Sequence, residues 1–119
     1  MMRAKLLVLL LGMATSLAVS AQTSNAASVE RGKMLYEKNM CVACHGTVGN
    51  GGERTSGPPI APNVWPLEAM TKQLRSPRQD MPRYDQKFVS DADVADIQAW
   101  LSTIKAGPKA RDIPLLANM

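Results

Sequence analysis

Cys41, Cys44 and His45 stand in the run Cys41-Val42-Ala43-Cys44-His45, and the 119-residue chain has no other cysteine or histidine. Two thiols three positions apart on one helical turn can each add to a vinyl group of a single porphyrin. The adjoining imidazole then meets the iron from one side, and the run is the attachment signature of a c-type haem. Three other chemistries use paired cysteines. A zinc site needs a fourth ligand, normally Cys or His, and none remains. A thioredoxin-like redox pair needs a βαβ context, and no run of β-branched residues precedes Cys41. A plain disulfide leaves the adjoining histidine without a role. The residues therefore point to one haem c, held by two thioethers at Cys41 and Cys44, with His45 on the iron.

A second histidine ligand is excluded, so attention passes to methionine. Five lie beyond residue 21: Met34, Met40, Met70, Met81 and Met119. Met119 is terminal, Met40 adjoins Cys41 on the same side of the iron, and Met34 is two turns upstream on the same helix. Met70 shares a face with Leu67 and Leu74 in the segment after Pro66, a pattern that predicts a helix with Met70 in its core face. Met81 differs. It precedes Pro82 and follows Pro77, in a stretch that cannot be regular helix, and a loop residue can approach the iron from the far side. Met81 is the expected sixth ligand, with Met70 or an open position as the alternatives. A thioether favours reduced iron, and a filled sixth position leaves no place for substrate.

The elements that hold these groups read as helices. Ser28, followed by Val29, Gly32, Leu35 and Tyr36, predicts an N-cap and an apolar stripe leading to the cysteines. Ser90-Asp91-Ala92-Asp93 is a variant of the capping box, with acids in the first turn where the helix dipole favours them. Val94, Ile97, Leu101 and Ile104, beside Trp100, form the face behind it, and Gly107-Pro108 is the expected stop. Strict alternation is absent, and the Gly- and Pro-rich stretch 46–66 reads as a loop. The expected class is all-α. Aromatic residues are 4% of the chain, namely Trp65, Trp100, Tyr36, Tyr84 and Phe88. A porphyrin would supply the apolar bulk that so few rings cannot, and the polypeptide alone is expected to be largely unfolded.

Length and charge set the outer limits. One core of ordinary size fits the chain, and the 45% apolar content excludes disorder. A formal charge of +4 without a basic tract gives nucleic-acid binding no support. Arg3 and Lys5, the apolar run Leu6 to Ala14 and the small residues before Ala21 form an expected secretory signal over residues 1–21, with a second possible cut after Ala26. Leu6 to Ala21 is 16 residues and contains Thr15, Ser16 and Ser20, too short and too polar for a stable membrane span. Residues 22–27 are expected to be a disordered leader, 28–106 the domain and 107–119 a tail, in a protein of the periplasm.

With these residues in place, most of the chain after the leader resembles the class I (monohaem) cytochromes c of the bacterial exported type. Arg31-Gly32-Lys33-Met34-Leu35-Tyr36 looks like the family's first helix, in which a glycine allows close crossing by the last helix. Ser90 to Ile104 looks like that last helix, with Trp100 at the aromatic position. Gly57-Pro58-Pro59-Ile60 looks like the family's Gly-Pro turn, and the resemblance implies that the Pro58 carbonyl accepts the Nδ1 proton of His45. Met81-Pro82 matches the axial-methionine loop. The implied fold is small and haem-centred, with crossing terminal helices and haem-wrapping loops. The loop Asn50-Gly51-Gly52-Glu53 and the tail depart from the pattern.

The implied function is one-electron transfer between redox proteins, by a free carrier or by the electron-accepting subunit of a dehydrogenase complex. A haem peroxidase or gas sensor is a minor alternative, since a peroxidase wants a distal base and no histidine is left for it. Lys72, Arg75, Arg78, Arg83 and Lys87, against Asp80 and Asp85, give the Met81 region an excess of positive charge, either a docking face for an acidic redox partner or a solvated surface. Trp65 and Tyr84 are placed to donate to a haem propionate or simply to pack on the porphyrin. Asn63 and Gln79 are candidates to bond the Met81 sulfur or a propionate. The apolar patch Ile113-Pro114-Leu115-Leu116 either folds back on the domain or anchors a larger partner.

Overall fold

The computed structural model describes residues 25–51, 57–108 and 110–115. The expected signal at 1–21, Gly52 and Glu53 of the loop, and Leu116 of the tail lie outside them. Among the described residues four α-helices follow one another: α1 over residues 25–38, α2 Val42–His45, α3 Leu67–Arg75 and α4 Asp91–Leu101, with a 3₁₀ turn at Ala110–Asp112. Among the described residues there is no strand, and the all-α class stands.

Helix α1 starts earlier than Ser28. Ala26 and Ala27 are the strongest of helix formers, and Ser28 does not cap: its hydroxyl donates across to Oδ1 of Asp96 on α4. Residues 25–27, expected in the disordered leader, are the first turn. One turn on, a Cβ on Gly32 would fall 1.9 Å from the Asp96 carbonyl oxygen, so only glycine lets α1 and α4 cross this closely. Tyr36 and Trp100 pack beside the crossing with ring centroids 4.8 Å apart and planes tilted by 50°. The buried Asp96 carboxylate takes donors from both Ser28 and the half-exposed Arg31, which locks the register of the two helices.

Helix α4 begins as its sequence dictates. Ser90 Oγ accepts from the Asp93 amide at 3.2 Å, while the Asp93 carboxylate accepts from the Ser90 amide at 2.9 Å. It ends sooner than Gly107-Pro108 implies. The Ser102 hydroxyl donates to the Gln98 carbonyl and that of Thr103 to the Trp100 carbonyl, each at 2.7 Å, so side chains take carbonyls of the last turn and the helix closes at Leu101. Val94, Ile97, Trp100 and Leu101 are buried, and Ile104 packs at the margin.

Helix α3 follows an extended Pro66. Leu74 is buried and Met70 packs against the core, as the pattern predicts, but Leu67 at the start of the same face is 39% exposed. Ala61 and Val89 complete the core from the loops, and the Ala61–Pro62 peptide is cis.

Candidate functional site

The short helix α2 grows out of the end of α1 through one left-handed residue. Met40 has φ 59°, and beyond it the Cys41 amide returns to the Tyr36 carbonyl at 3.1 Å. Cys41 already has helical angles, and the His45 amide donates to the Cys41 carbonyl at 2.9 Å. Both cysteines and the histidine thus share one turn. Tyr36 braces it from the core side, donating its hydroxyl to the Gly46 carbonyl at 2.7 Å; burial first, then the neighbouring Cys41 thiol, push its pKa up to about 12.

His45 is buried, and its Nδ1 lies 2.8 Å from the Pro58 carbonyl oxygen. A carbonyl can only accept, so Nδ1 carries the proton, and Nε2 is the nitrogen left to bind a metal. The approach depends on Gly57. A Cβ there would sit 2.6 Å from the Cys44 carbonyl oxygen and 2.9 Å from His45 Nδ1, and the Gly57 amide donates to that same carbonyl at 3.0 Å. The described residues on either side of it are tied to the end of α2 and to each other: the Gly51 amide meets the His45 carbonyl at 2.8 Å, and the Ile60 and Ala61 amides meet the Gly49 carbonyl at 2.7 and 2.9 Å.

Cys41 and Cys44 are not joined in a disulfide. Burial pushes the Cys41 thiol up to about 11, so it stays protonated at neutral pH. A thiol-redox nucleophile needs the opposite shift. Among the described residues no three His, Cys, Asp or Glu side chains gather as a metal cluster.

Met81 packs against the core from the loop between α3 and α4. That loop is pinned to the end of α3. The Tyr84 amide donates to the Leu74 carbonyl at 2.9 Å, and the Arg75 guanidinium donates to the carbonyls of Tyr84 at 3.1 Å and Val89 at 2.8 Å. The same guanidinium reaches Asp91 Oδ1 at 2.6 Å. Gln73 Nε2 approaches the Met81 sulfur at 3.5 Å. The thioether has no proton to give, so the amide donates.

Several of these residues make contacts within the fold. Arg75, expected at a docking face, directs donors to two backbone carbonyls and to Asp91 and so clasps the Met81 loop. Tyr84 donates its hydroxyl to the Asn39 carbonyl at 3.0 Å, committing to the α1–α2 junction the one proton it had for a propionate. Burial, then the Cys41 and Cys44 thiols, raise its pKa. Trp65 is 52% exposed, and its backbone carbonyl accepts from Gln98 at 2.8 Å. Asn63 is exposed; Gln79 is exposed too, in a left-handed turn with φ 59°. The residue on the Met81 sulfur is Gln73, for which the sequence held a signal: it stands with Met70 and Leu74 on one helical face, a polar residue in an apolar stripe. Lys72, Arg78, Arg83 and Lys87 are exposed, Lys87 with its ammonium 4.9 Å from the centre of the Phe88 ring.

The donor set fits a haem c. Two thiols outside any disulfide and an imidazole fixed through Nδ1 share one turn, and a thioether stands in a braced loop. Cys41 and Cys44 would hold the macrocycle and His45 the iron.

A model of the family described as cytochrome C oxidase, cbb3-type, subunit III, matches residues 27–101. No curated protein and no solved structure matches the chain.

Proposed function

Because the chain belongs to the cytochrome c oxidase, cbb3-type, subunit III family, and so carries a haem c electron-transfer domain, we propose that it is an exported carrier with a single haem, passing one electron at a time between redox proteins in the periplasm. The observation that carries this reading is the His45–Pro58 bond of 2.8 Å beside Cys41 and Cys44. It fixes the tautomer and the orientation of the ring, so the imidazole does not have to reorganise when the charge at the site changes.

The haem supplies a one-electron Fe(II)/Fe(III) couple; everything else is done by the polypeptide. His45 and Met81 would hold the iron in this reading, and with both bound no place would remain for substrate. The single copy of the cysteine motif supports one haem. Lys72, Arg78, Arg83 and Lys87, exposed against Asp80 and Asp85, steer an acidic redox partner toward the Met81 side without holding it tightly. The apolar run at residues 6–14 supports export, and among the described residues no helix is long and apolar enough to cross a membrane.

One observation favours a second reading, in which the domain is a permanent subunit of a redox complex: the matching family is described by a subunit of an oxidase. Native size in a cell extract separates the two, a carrier migrating alone and a subunit with its complex.

The test of the axial pair is the visible spectrum of the reduced protein with and without carbon monoxide. An unchanged low-spin spectrum is expected. Prompt binding of the gas would mean that Met81 does not hold the sixth position, and the sensor or peroxidase reading would replace this one.

A further inference from the structure

We propose that Gln73 is the positioning residue for the Met81 sulfur, selecting which of its two lone pairs is free to bind metal and drawing electron density from it. The inference rests on the reading of Met81 as a ligand. Gln73 Nε2 lies 3.5 Å from Met81 Sδ, within the reach of a hydrogen bond to sulfur.

The two residues come from different elements. Met81 belongs to a loop, between the left-handed Gln79 and Pro82. Gln73 belongs to α3 and directly precedes the buried Leu74, whose carbonyl takes the Tyr84 amide of that same loop. The helix therefore sets the donor, and the loop brings the sulfur to it. A thioether sulfur has two lone pairs. Once one accepts from Gln73 the other alone can bind the iron, and of the two sulfur configurations a bound methionine can take, one is selected.

The bond also has an electronic sign. An N–H directed at the sulfur lowers its electron donation, and a weaker donor disfavours Fe(III) more than Fe(II), so the bond holds the potential up. No bond forms or breaks when an electron enters from a redox partner or leaves to one, and the Gln73 proton stays on nitrogen throughout.

The test uses the haem-loaded protein and three variants: Gln73→Leu, Gln73→Glu and Met81→Leu. Leu keeps the bulk and removes the donor; Glu keeps the shape and, as a carboxylate, replaces the donor with negative charge. The midpoint potential is expected to fall in the order Gln, Leu, Glu. NMR of the wild-type protein should show one sulfur configuration through the Met81 ε-methyl group, and Gln73→Leu should show two in exchange. The melting temperature of Gln73→Leu should match the wild type, which a merely structural role would not allow.

A Gln73→Leu protein with unchanged potential and a single methyl environment, alongside a Met81→Leu protein that now binds carbon monoxide, overturns the role of Gln73 and leaves the ligand reading standing. A Met81→Leu protein whose spectrum and gas response equal the wild type overturns both. Should Gln73→Leu fail to fold, the potential and methyl signature of Gln73→Glu decide the question, an unchanged value again overturning the proposal.

Discussion

His45 offers Nε2 to a metal because the Pro58 carbonyl claims the proton on Nδ1, and Pro58 reaches it because Gly57 has no side chain. The dependence can be tested at Gly57. In Gly57→Ala the new methyl group meets the Cys44 carbonyl oxygen and His45 Nδ1 at distances real contacts do not reach, so the turn must move off α2. A loss of about 1–3 kcal/mol in denaturant unfolding of the haem-loaded protein is expected, as for other overpacked sites, together with a change in the His45 imidazole signals. Equal stability and unchanged signals would mean that the turn yields freely. At this scale the sequence was legible where chemistry restricts residue type: a cysteine pair with a histidine has few meanings, and a glycine before a proline marks a special turn. It was opaque where a polar side chain had several partners within reach. Arg75 reads as surface charge because most arginines are, and only the fold shows that two carbonyls of one loop converge on it. Tyr84 likewise has one proton and many possible acceptors.

The helices show which boundaries a sequence fixes. Ser90 has one role at the start of α4, since its hydroxyl and the Asp93 carboxylate satisfy each other's backbone amides. The Ser90 hydroxyl and amide hold the Asp93 carboxyl below its ordinary range, with Arg31 and Lys38 adding to the effect. A folded-state pKa below the unfolded value contributes stability that is complete above the unfolded value and is lost as the pH falls through the folded one. Ser90→Ala should therefore cost about 1 kcal/mol at neutral pH, a gap that begins to narrow near the ordinary carboxylate range of about pH 4 and narrows further as the pH falls through the lower folded-state value of the wild type. Unfolding curves at pH 7 and at low pH check it, and a gap that stays constant would remove Asp93 from the explanation. Ser28 carries the same chemistry but does not cap, because Asp96 on α4 takes its hydroxyl. The end of α4 is misjudged for a related reason: hydroxyls at Ser102 and Thr103 compete for carbonyls before any glycine or proline arrives.

At the scale of the molecule, the buried apolar set among the described residues is small: Tyr36, Ala61, Leu74, Val89, Val94, Ile97, Trp100 and Leu101. Of the five aromatic residues only Tyr36 and Trp100 are buried, while Trp65 is 52% and Phe88 74% exposed. A core of this size is marginal for a domain of 75 residues or so. The described parts of the stretches 46–66 and 76–89 bring Ala61 and Val89 to that buried set, and the second is tied down by the Arg75 clasp and the Tyr84–Asn39 bond. A covalently held porphyrin adds apolar surface to both, and a group that binds only the folded chain stabilises it by its binding free energy. Cys41→Ser with Cys44→Ser, which removes both thioether sites, should leave a chain with a fraction of the helical circular dichroism of the haem-loaded protein and no cooperative melting transition. Helices α1 and α4 meet through the close approach at Gly32, the Tyr36–Trp100 pair and the Asp96 bonds, so residual structure should concentrate there. Hydrogen exchange would locate it. Protection spread evenly over α3 and the Met81 loop in the haem-free chain would instead mean that the polypeptide folds by its own packing, with the haem added to a finished scaffold.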